Sequence, residues 1–241
     1  MSKGYVIAIE GADKAGKHTQ VVNIMNYLKS KGVPTETLDF PRYKEFFGKL
    51  VKDYLNGKFG GLQDLPAEYA MLPYALDRLQ HQPMIKKWLK SGKFVVFDRY
   101  SYSNSFSVAK CPQELWAEKI NYMEDLEFNR LKLIKPNHNI YLSLDPKIAF
   151  NMRNQGLKEY QNGKADIHES DFGLLYNVSK VYYEIAAQNP NTWTVINEMK
   201  PDGTRMNQEE VFEIIKPVLD KLIIEQWKTT FFGRLFSLRR K

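Results

Sequence analysis

Short apolar runs rich in valine and isoleucine alternate along the chain with longer segments of helical periodicity. Five such runs predict strands, at 4–9, 33–39, 93–98, 139–145 and 192–197. Several carry apolar residues on both faces, which is typical of parallel strands buried between layers of helices. The segments between them are long enough for helices, and the main ones are 17–31, 66–90, 112–132, 146–155, 171–188 and 208–226. This alternation predicts an α/β fold: a doubly wound, parallel five-stranded sheet flanked by helices.

A polar segment, 154–170, breaks the alternation, because it lies between two predicted helices and is rich in glycine and charge. It is either an ordinary surface loop or a mobile lid over a reactive site. We expect one domain over 1–225 that includes this lid segment. A basic, aromatic tail follows over 226–241.

The tail carries most of the excess positive charge. Of the net charge of +7, +5 belongs to 226–241, which has five basic residues and no acidic one, so the rest of the chain carries +2. A nearly neutral body argues against a nucleic-acid-binding protein. Aromatic and leucine side chains alternate with the basic groups of the tail. They predict either an amphipathic helix that touches a membrane surface or a partner, or docking on the protein's own body or a dimer partner.

The composition excludes several classes of protein. Cys111 is the only cysteine, which rules out a disulfide framework and a cysteine-rich zinc site. No apolar run reaches the roughly 18 residues of a transmembrane helix. The first apolar run leads into a glycine loop and has no signal-peptide cleavage pattern. A reducing, cytoplasmic setting is therefore expected.

The strongest local pattern is a glycine loop between the first strand and the first helix. The segment GADKAGKHT at 11–19 follows G-x-x-x-x-G-K and continues into a helical pattern. Backbone N–H groups in such a loop point at phosphate oxygens, and the helix N-terminus adds partial positive charge. A glycine-rich turn without a ligand is the alternative. The candidate ligands of a nucleoside triphosphate are Gly11, Asp13, Lys14, Ala15, Gly16, Lys17, His18 and Thr19.

His18 departs from the usual loop pattern, which has serine or threonine after the lysine to hold Mg²⁺. Imidazole is a poor ligand for this hard ion, which prefers oxygen. Three outcomes stay open: Thr19 takes over as a ligand, the metal is held by waters and Asp98, or catalysis is lost.

Asp98 and Arg99 end the third predicted strand, where the ligand crevice of an open α/β sheet lies. Such an aspartate can hold Mg²⁺ through water, and such an arginine can bind phosphate with two hydrogen bonds. A surface ion pair is the alternative, but the neighbouring glycine loop favours a phosphate site.

A base-binding pocket is indicated by Tyr74 and Arg78, which are spaced i, i+4 and so share one helix face. The ring can stack on a base while the guanidinium group binds its carbonyl oxygen. The alternative is a core tyrosine beside a solvated arginine. The second strand also runs into an aromatic and basic segment, Phe40-Pro41-Arg42-Tyr43.

Together these segments resemble the thymidylate kinase family of phosphate-loop nucleoside monophosphate kinases. The resemblance spans about 1–220 and rests on EGADKAGKHTQ, FPRY, YALDR, DRYSYSNS and the lid-like ADIHE. Deoxynucleoside kinases share the fold and the glycine loop, but they usually carry an ERS or DRS motif where this chain has DRY.

The resemblance implies catalytic roles for four residues: Lys14, Lys17, Asp98 and Arg99. Lys17 would bind the donor phosphates, and Lys14 would neutralise charge on the transferring phosphoryl group. Asp98 would lie near Mg²⁺, and Arg99 would bridge the acceptor phosphate. Asp13 would contact the deoxyribose 3′-hydroxyl or neighbouring phosphates.

The resemblance also implies the residues of a dTMP site. Tyr74 would stack on thymine, Arg78 would bind its O4, and Ser103 would approach the base. Phe40 and Arg42 belong to the same set, although the family's arginine often comes one residue later after FP than Arg42 does.

The lid is a looser match. Related lids often carry an Asp-Arg pair, whereas here Asp166 is followed by isoleucine, with His168 and Glu169 beyond it. Because this lid offers no arginine beside the aspartate, charge neutralisation in the transition state is expected from Lys14. Arg153, at the end of the preceding helix, is a candidate contact for adenine or the donor phosphates.

The implied reaction moves the γ-phosphoryl group of ATP to dTMP, with Mg²⁺ as cofactor and a homodimer as the assembly. Two alternatives remain at this point. One is another nucleoside monophosphate or deoxynucleoside kinase, which would prefer a different acceptor. The other is a catalytically weakened nucleotide-binding protein, because His18 replaces the usual metal-binding residue.

Overall fold

Five parallel strands form one sheet within the described part of the chain, in the order β2-β3-β1-β4-β5. The computed structural model describes residues 4–156 and 165–238, with side chains as far as Lys228. The strands are β1 (Tyr5–Gly11), β2 (Thr35–Asp39), β3 (Phe94–Asp98), β4 (His138–Ser143) and β5 (Trp193–Asn197). Every predicted strand is confirmed to within two residues at either end, and so is the predicted fold class.

Helices cover both faces of this sheet. They are α1 (Lys17–Ser30), α2 (Phe46–Leu55), α3 (Ala67–Gln80), α4 (Gln82–Lys90), α5 (Ser105–Ala109), α6 (Trp116–Glu124), α7 (Pro146–Asn151), α8 (Phe172–Gln188) and α9 (Gln208–Leu238). Short 3₁₀ turns lie at Ser101–Asn104 and Gln113–Leu115, and a π-helical turn at Asp125–Arg130 continues α6. No helix among the described residues is long and apolar enough to cross a membrane.

Three helical features differ from the sequence-based expectation. The segment 66–90 is two helices that meet at His81, because Pro83 lies in the first turn of α4 and cannot donate a backbone hydrogen bond. Helix α2 was not among the predicted helices. Its buried Val51, Tyr54 and Leu55 show the i, i+3, i+4 spacing that would have predicted it. Helix α9 continues past 226, so the backbone of the tail is part of that helix as far as Leu238. The aromatic side chains predicted to dock beyond 228 lie outside the described residues.

Alternate side chains of β1 face two separate cores. Ile7 and Ile9 pack with α1 and α9 on one side of the sheet, while Val6 and Ala8 pack with α4 and β3 on the other. Burying one such aliphatic side chain stabilises the fold by about 1.5–3 kcal/mol. Burial on both faces explains why the strands read as continuous apolar runs.

The carboxyl ends of β1 and β3 lie side by side, with Ile9 in register with Asp98. The backbone N–H of Arg99 extends this pairing by donating to the carbonyl of Ile9 at 3.0 Å. The glycine loop after β1 and the Asp98-Arg99 pair after β3 therefore meet at one edge of the sheet.

Candidate active site

The glycine loop curls because three of its residues adopt left-handed or extended positive φ angles: Gly11 (149°), Lys14 (68°) and Gly16 (69°). A Cβ atom on Gly11 would lie 2.7 Å from the carbonyl oxygen of Leu142 on the neighbouring strand, so only glycine fits there. Lys14 adopts its φ without being glycine, at a strain of about 1 kcal/mol.

Arg205 holds the strained peptide in place. Its Nη2 donates to the carbonyl oxygen of Lys14 at 2.7 Å, and its Nε and Nη2 donate to Glu198 at 3.0 and 2.8 Å. Glu198 is fully buried, and burial raises the pKa of its carboxyl group while Arg205 opposes that rise. Sequence reasoning missed both residues, because they lie about 190 positions from the loop.

Lys17 is buried and lies back over the loop, where its Nζ donates to the carbonyl of Ala12 at 2.7 Å. This position holds the ammonium group inside the curve of the loop. It is the arrangement expected of a lysine that moves onto phosphate oxygens when a nucleotide binds.

Asp13 and Arg99 join the loop to the end of β3. Arg99 Nη2 lies 2.9 Å from Asp13 Oδ1, and its Nη1 donates to the carbonyl of Gly11 at 2.9 Å. Burial opposes the charge on Arg99, but the nearby acidic groups, Asp13 first among them, outweigh burial and raise its pKa. The guanidinium group is therefore a fixed cation at the centre of the site.

Glu10 shapes the turn that carries Arg99 and Ser103. It is fully buried and accepts hydrogen bonds from Tyr100 N (2.9 Å), Ser103 Oγ (2.6 Å) and Tyr182 OH (3.1 Å). Burial raises the pKa of its carboxyl group, and these donors work against the rise. Glu10 was not predicted as a site residue, although it lies directly before Gly11.

Two adjoining cavities occupy this edge of the sheet. The first, here the loop cavity, is lined by five of the predicted phosphate-binding residues together with both residues at the end of β3: Asp13, Lys14, Gly16, Lys17, His18, Asp98 and Arg99. The second, here the inner cavity, is lined mainly by predicted dTMP-binding and lid residues: Asp13, Phe40, Tyr74, Arg78, Arg99, Ser103, Asp166 and His168. Five described residues line both cavities, and Asp13 and Arg99 are the charged ones; the others are Phe40, Pro41 and Tyr43. Pro41 and Tyr43 belong to the FPRY segment and have no role in the sequence-based prediction.

Tyr74 and Arg78 open onto the inner cavity from one face of α3, as their spacing predicts. Arg78 is held in a buried ion pair with Glu127 and also donates through Nη1 to the carbonyl of Tyr100 at 3.3 Å. Phe106 lines the same cavity and was missed, because a single phenylalanine in a short helix carries no distinguishing pattern.

The described end of the predicted lid segment, residues 165–170, lies against the site. Asp166 Oδ1 accepts from the backbone N–H groups of His168 and Glu169, both at 3.0 Å. Glu169 Oε1 lies 3.6 Å from Lys14 Nζ, so the lid pairs with the loop. Residues 157–164 of the predicted lid lie outside the described residues.

His168 is buried between two aromatic rings in this arrangement. It stacks on Phe106 with ring centroids 5.1 Å apart, and its Nε2 lies 3.2 Å from Tyr54 OH. Burial lowers the pKa of His168 to about 4, so the imidazole is neutral near pH 7.

Two predicted arginines lie outside both cavities. Arg42 pairs with Asp39 at 2.6 Å and with Glu45 at 3.2 Å, its i±3 neighbours. Arg153 lies over the ring of Phe150 at 3.9 Å and donates to that residue's carbonyl.

The metal question centres on His18, Thr19 and Asp98. His18 is 84 % exposed, with Nδ1 3.4 Å from Asp98 Oδ2. Thr19 is exposed and does not line the loop cavity, whereas Asp98 does. Among the described residues no group of three or more His, Cys, Asp or Glu forms a cation cage. One carboxylate facing a phosphate site suits Mg²⁺, which keeps several waters and binds through one or two carboxylates and substrate phosphates.

The chain matches known proteins along most of its length. A family model described as thymidylate kinase matches residues 9–211. The thymidylate kinase of Mycobacterium tuberculosis is 32% identical over 196 residues, which covers 79% of this chain and 90% of that protein. The human thymidylate kinase is 31% identical over 233 residues, covering 94% of this chain and 98% of that protein.

A solved structure shares the fold. The thymidylate kinase of Candida albicans, reported for its broad substrate specificity and a novel structural element, superposes with a TM-score of 0.63. It covers 89% of this chain and 92% of its own, at 23% identity. The glycine loop, the Asp98-Arg99 pair and the match over 9–211 converge on one conclusion: the chain belongs to the thymidylate kinase family.

Proposed function

We propose that this protein transfers the γ-phosphoryl group of ATP to the 5′-phosphate of dTMP, giving ADP and dTDP. One observation carries the proposal: Asp13 and Arg99 line both the loop cavity and the inner cavity. A reaction between two bound phosphates needs such a junction, because the donor and acceptor phosphates must meet at one cationic point. Family membership supports the same pair of substrates.

An oxygen of the acceptor phosphate attacks the γ-phosphorus, and the bond from that phosphorus to the bridging oxygen breaks. ADP leaves with the electron pair. The attacking oxygen is already anionic, so no side chain has to remove a proton. The contribution of the protein is alignment and charge neutralisation by Lys14, Lys17 and Arg99.

Base recognition belongs to the inner cavity. Tyr74 offers a ring face, Phe106 and His168 form an aromatic wall, and Arg78 offers N–H donors. These groups suit a pyrimidine with a carbonyl at ring position 4, since an arginine donates and does not accept hydrogen bonds. Ser103 completes the proposed acceptor site.

Mg²⁺ is the proposed cofactor, held through Asp98 and substrate phosphates. When bound, the ion would neutralise charge on the donor phosphates. Within the chain, Asp98 would supply an oxygen ligand, and His18 Nδ1 lies 3.4 Å from that carboxylate on the same cavity wall.

Closure of the lid is the proposed role of the pair between Lys14 and Glu169. In the closed arrangement His168 and Asp166 line the inner cavity, which excludes water from the reacting phosphates. Lys14 would then exchange Glu169 for the transferring phosphoryl group, because both are anionic.

A cytoplasmic homodimer is the proposed setting. Exposed apolar side chains of helix α3, of the 3₁₀ turn before α6 and of α6 support a dimer face: Tyr69 (62 %), Leu115 (36 %) and Tyr122 (39 %). The single cysteine suits a reducing compartment.

The tail from 226 would contact the protein's own body, its dimer partner or a membrane surface. Sedimentation of the full chain and of a 1–225 truncation, with and without anionic vesicles, separates these possibilities.

A coupled assay of ADP release tests the proposed reaction. The purified protein is given ATP and Mg²⁺ with dTMP, dUMP, dCMP, dGMP, UMP or thymidine in separate reactions. We expect fastest turnover with dTMP. Faster turnover with a nucleoside, or binding of ATP and dTMP without turnover, would contradict the proposal.

A further inference from the structure

The guanidinium group of Arg78 has a second partner on the side away from the inner cavity. Arg78 Nε donates to Glu127 Oε2 at 2.9 Å, and Arg78 Nη2 donates to Glu127 Oε1 at 2.5 Å. Both side chains are buried, at 1 % and 0 % exposure. Glu127 does not line either cavity. Its contact with the proposed base site therefore runs through Arg78.

The bidentate ion pair with Glu127 determines which N–H donors of Arg78 remain for a ligand. An arginine carries five N–H donors in a rigid, planar fork. Glu127 takes one on Nε and one on Nη2, and the carbonyl of Tyr100 takes one on Nη1 at 3.3 Å. One N–H on Nη1 and one on Nη2 remain, and Arg78 is one of the residues that line the inner cavity.

Glu127 also ties Arg78 to the turn that carries Ser103. Its Oε1 accepts from Asn104 Nδ2 at 2.7 Å, and Asn104 directly follows Ser103. One buried carboxylate therefore connects helix α3 with the turn after β3. Both elements contribute to the inner cavity.

The backbone around Glu127 is unusual in a way that bears on this role. Glu127 lies in the π-helical turn Asp125–Arg130, which follows the α-helical residues of α6. A π-helical turn inserts one residue and re-aims the side chains after it, and such turns are frequent at functional sites. Here the turn directs a carboxylate into the core, where it needs a buried cation as partner.

We propose that Glu127 is a positioning residue for base selectivity, which acts by locking the guanidinium group of Arg78 with two N–H donors aimed at the carbonyl at position 4 of a pyrimidine. This inference rests on the proposed function of the inner cavity. A cytosine base carries an amino group at that position. The N–H donors of a fixed arginine would then face a second donor and could form no hydrogen bond with it. A loosened arginine would lose this discrimination.

The test compares kcat/KM for dTMP and dCMP in the full-length protein and in Glu127→Gln. The amide keeps the size of the side chain but loses the charge and one acceptor. A hydrogen bond to a charged group contributes about ten- to a hundredfold in binding. We therefore expect the dTMP:dCMP ratio to fall about tenfold or more, through a higher KM for dTMP. The KM for ATP should change by less than about twofold.

Three further variants test whether the effect is specific to Glu127 and depends on Arg78. Asp125→Asn is the matched control, because it makes the same chemical change at an exposed carboxylate of the same turn, and it should leave the ratio unchanged. The double variant Arg78→Met/Glu127→Gln should have the same ratio as Arg78→Met alone within about twofold, since Glu127 acts through Arg78. Glu127→Asp keeps the charge but shortens the side chain, and it replaces Glu127→Gln if that variant does not fold.

An unchanged ratio in Glu127→Gln would overturn the inference. An equal fall in kcat/KM for dTMP and for dCMP, accompanied by a lower melting temperature, would also overturn the inference. It would show that Glu127 has only a structural role. If the double variant has a dTMP:dCMP ratio well below that of Arg78→Met, Glu127 does not act through Arg78 alone, and the inference is wrong. If the unaltered protein itself does not prefer dTMP to dCMP, the proposed function fails before any variant is compared, and the inference falls with it.

Discussion

The Nζ atom of Lys14 lies 3.6 Å from Oε1 of Glu169, so one ion pair connects the glycine loop to the lid. Lys14 is otherwise held by its backbone, with φ at 68° and its carbonyl bonded to Arg205. The backbone of Lys14 is therefore fixed, while its side-chain ammonium group can exchange one partner for another. It can pair with the lid before reaction and with the transferring phosphoryl group during it.

Removal of the Lys14 side chain tests this role. We expect Lys14→Ala to lower kcat by about 10²–10³, because one preorganised cationic donor is typically worth that much in the transition state. Lys14→Arg restores the charge and should recover turnover to within about tenfold. Steady-state kinetics with saturating ATP and dTMP measure both variants. Full turnover in Lys14→Ala would show that the charge is supplied by another group.

Lys17 provides the second prediction. Its buried ammonium group lies over the loop and donates to the carbonyl of Ala12. Lys17→Ala should lower kcat/KM by about 10²–10³ while the protein stays folded. Lys29→Ala removes an exposed lysine from the far end of the same helix and should have no effect. If both variants behave alike, the loop is not the phosphate site.

His18 provides a prediction about the metal. Because its imidazole is exposed and approaches Asp98 only at 3.4 Å, His18→Ser should change turnover with Mg²⁺ by less than about threefold. Asp98→Asn, which replaces the charged carboxylate with a neutral amide, should lower turnover with Mg²⁺ about ten- to a hundredfold. The assays are repeated with Mn²⁺ to detect a change in metal preference. A rise of tenfold or more in His18→Ser would mean that histidine weakens the natural enzyme.

The buried histidines predict how stability depends on pH. Burial lowers the pKa of His168 and that of His138 from 6.5 to about 4. Between these values the unfolded chain binds protons that the folded chain does not, so the free energy of unfolding falls as the pH drops from about 6.5 to about 4. The slope contributed by each histidine approaches about 1.4 kcal/mol per pH unit.

Urea unfolding at several pH values in this window measures that slope. We expect His138→Gln to flatten it, because the variant removes one of the buried groups at a distance from the active site. A slope in His138→Gln equal to that of the natural protein would contradict the assignment.

Local patterns in the sequence were enough to predict the sheet and to show that several candidate residues meet at one edge of it. Runs rich in valine and isoleucine predicted the strands, and the glycine loop and Asp98-Arg99 lie at the carboxyl ends of two of them, β1 and β3, which pair side by side. The i, i+4 spacing of Tyr74 and Arg78 predicted one shared helix face, and both residues line the inner cavity. These features depend only on neighbours within a few residues, which sequence periodicity records.

The supporting residues could not be predicted in this way. Glu10 bonds to a residue 90 positions away, Glu127 to one 49 away and Arg205 to one 191 away. Each is an isolated charge without a local pattern, and its partner is defined only once the chain has folded. Arg42 shows the converse, since its acidic neighbours at i±3 engage its guanidinium group outside both cavities.

The central claim is that the inner cavity selects dTMP as the acceptor of the phosphoryl group that is transferred at the junction of the two cavities. A competition assay tests it most directly: one sample of protein, limiting ATP and Mg²⁺, and an equimolar mixture of dTMP, dUMP, dCMP, dGMP and thymidine. Chromatography of the products gives the relative kcat/KM values under identical conditions. The account predicts dTDP as the main product, with dCDP and dGDP far below it. Thymidine phosphorylation, or a mixture that mirrors the acceptor concentrations, would contradict it.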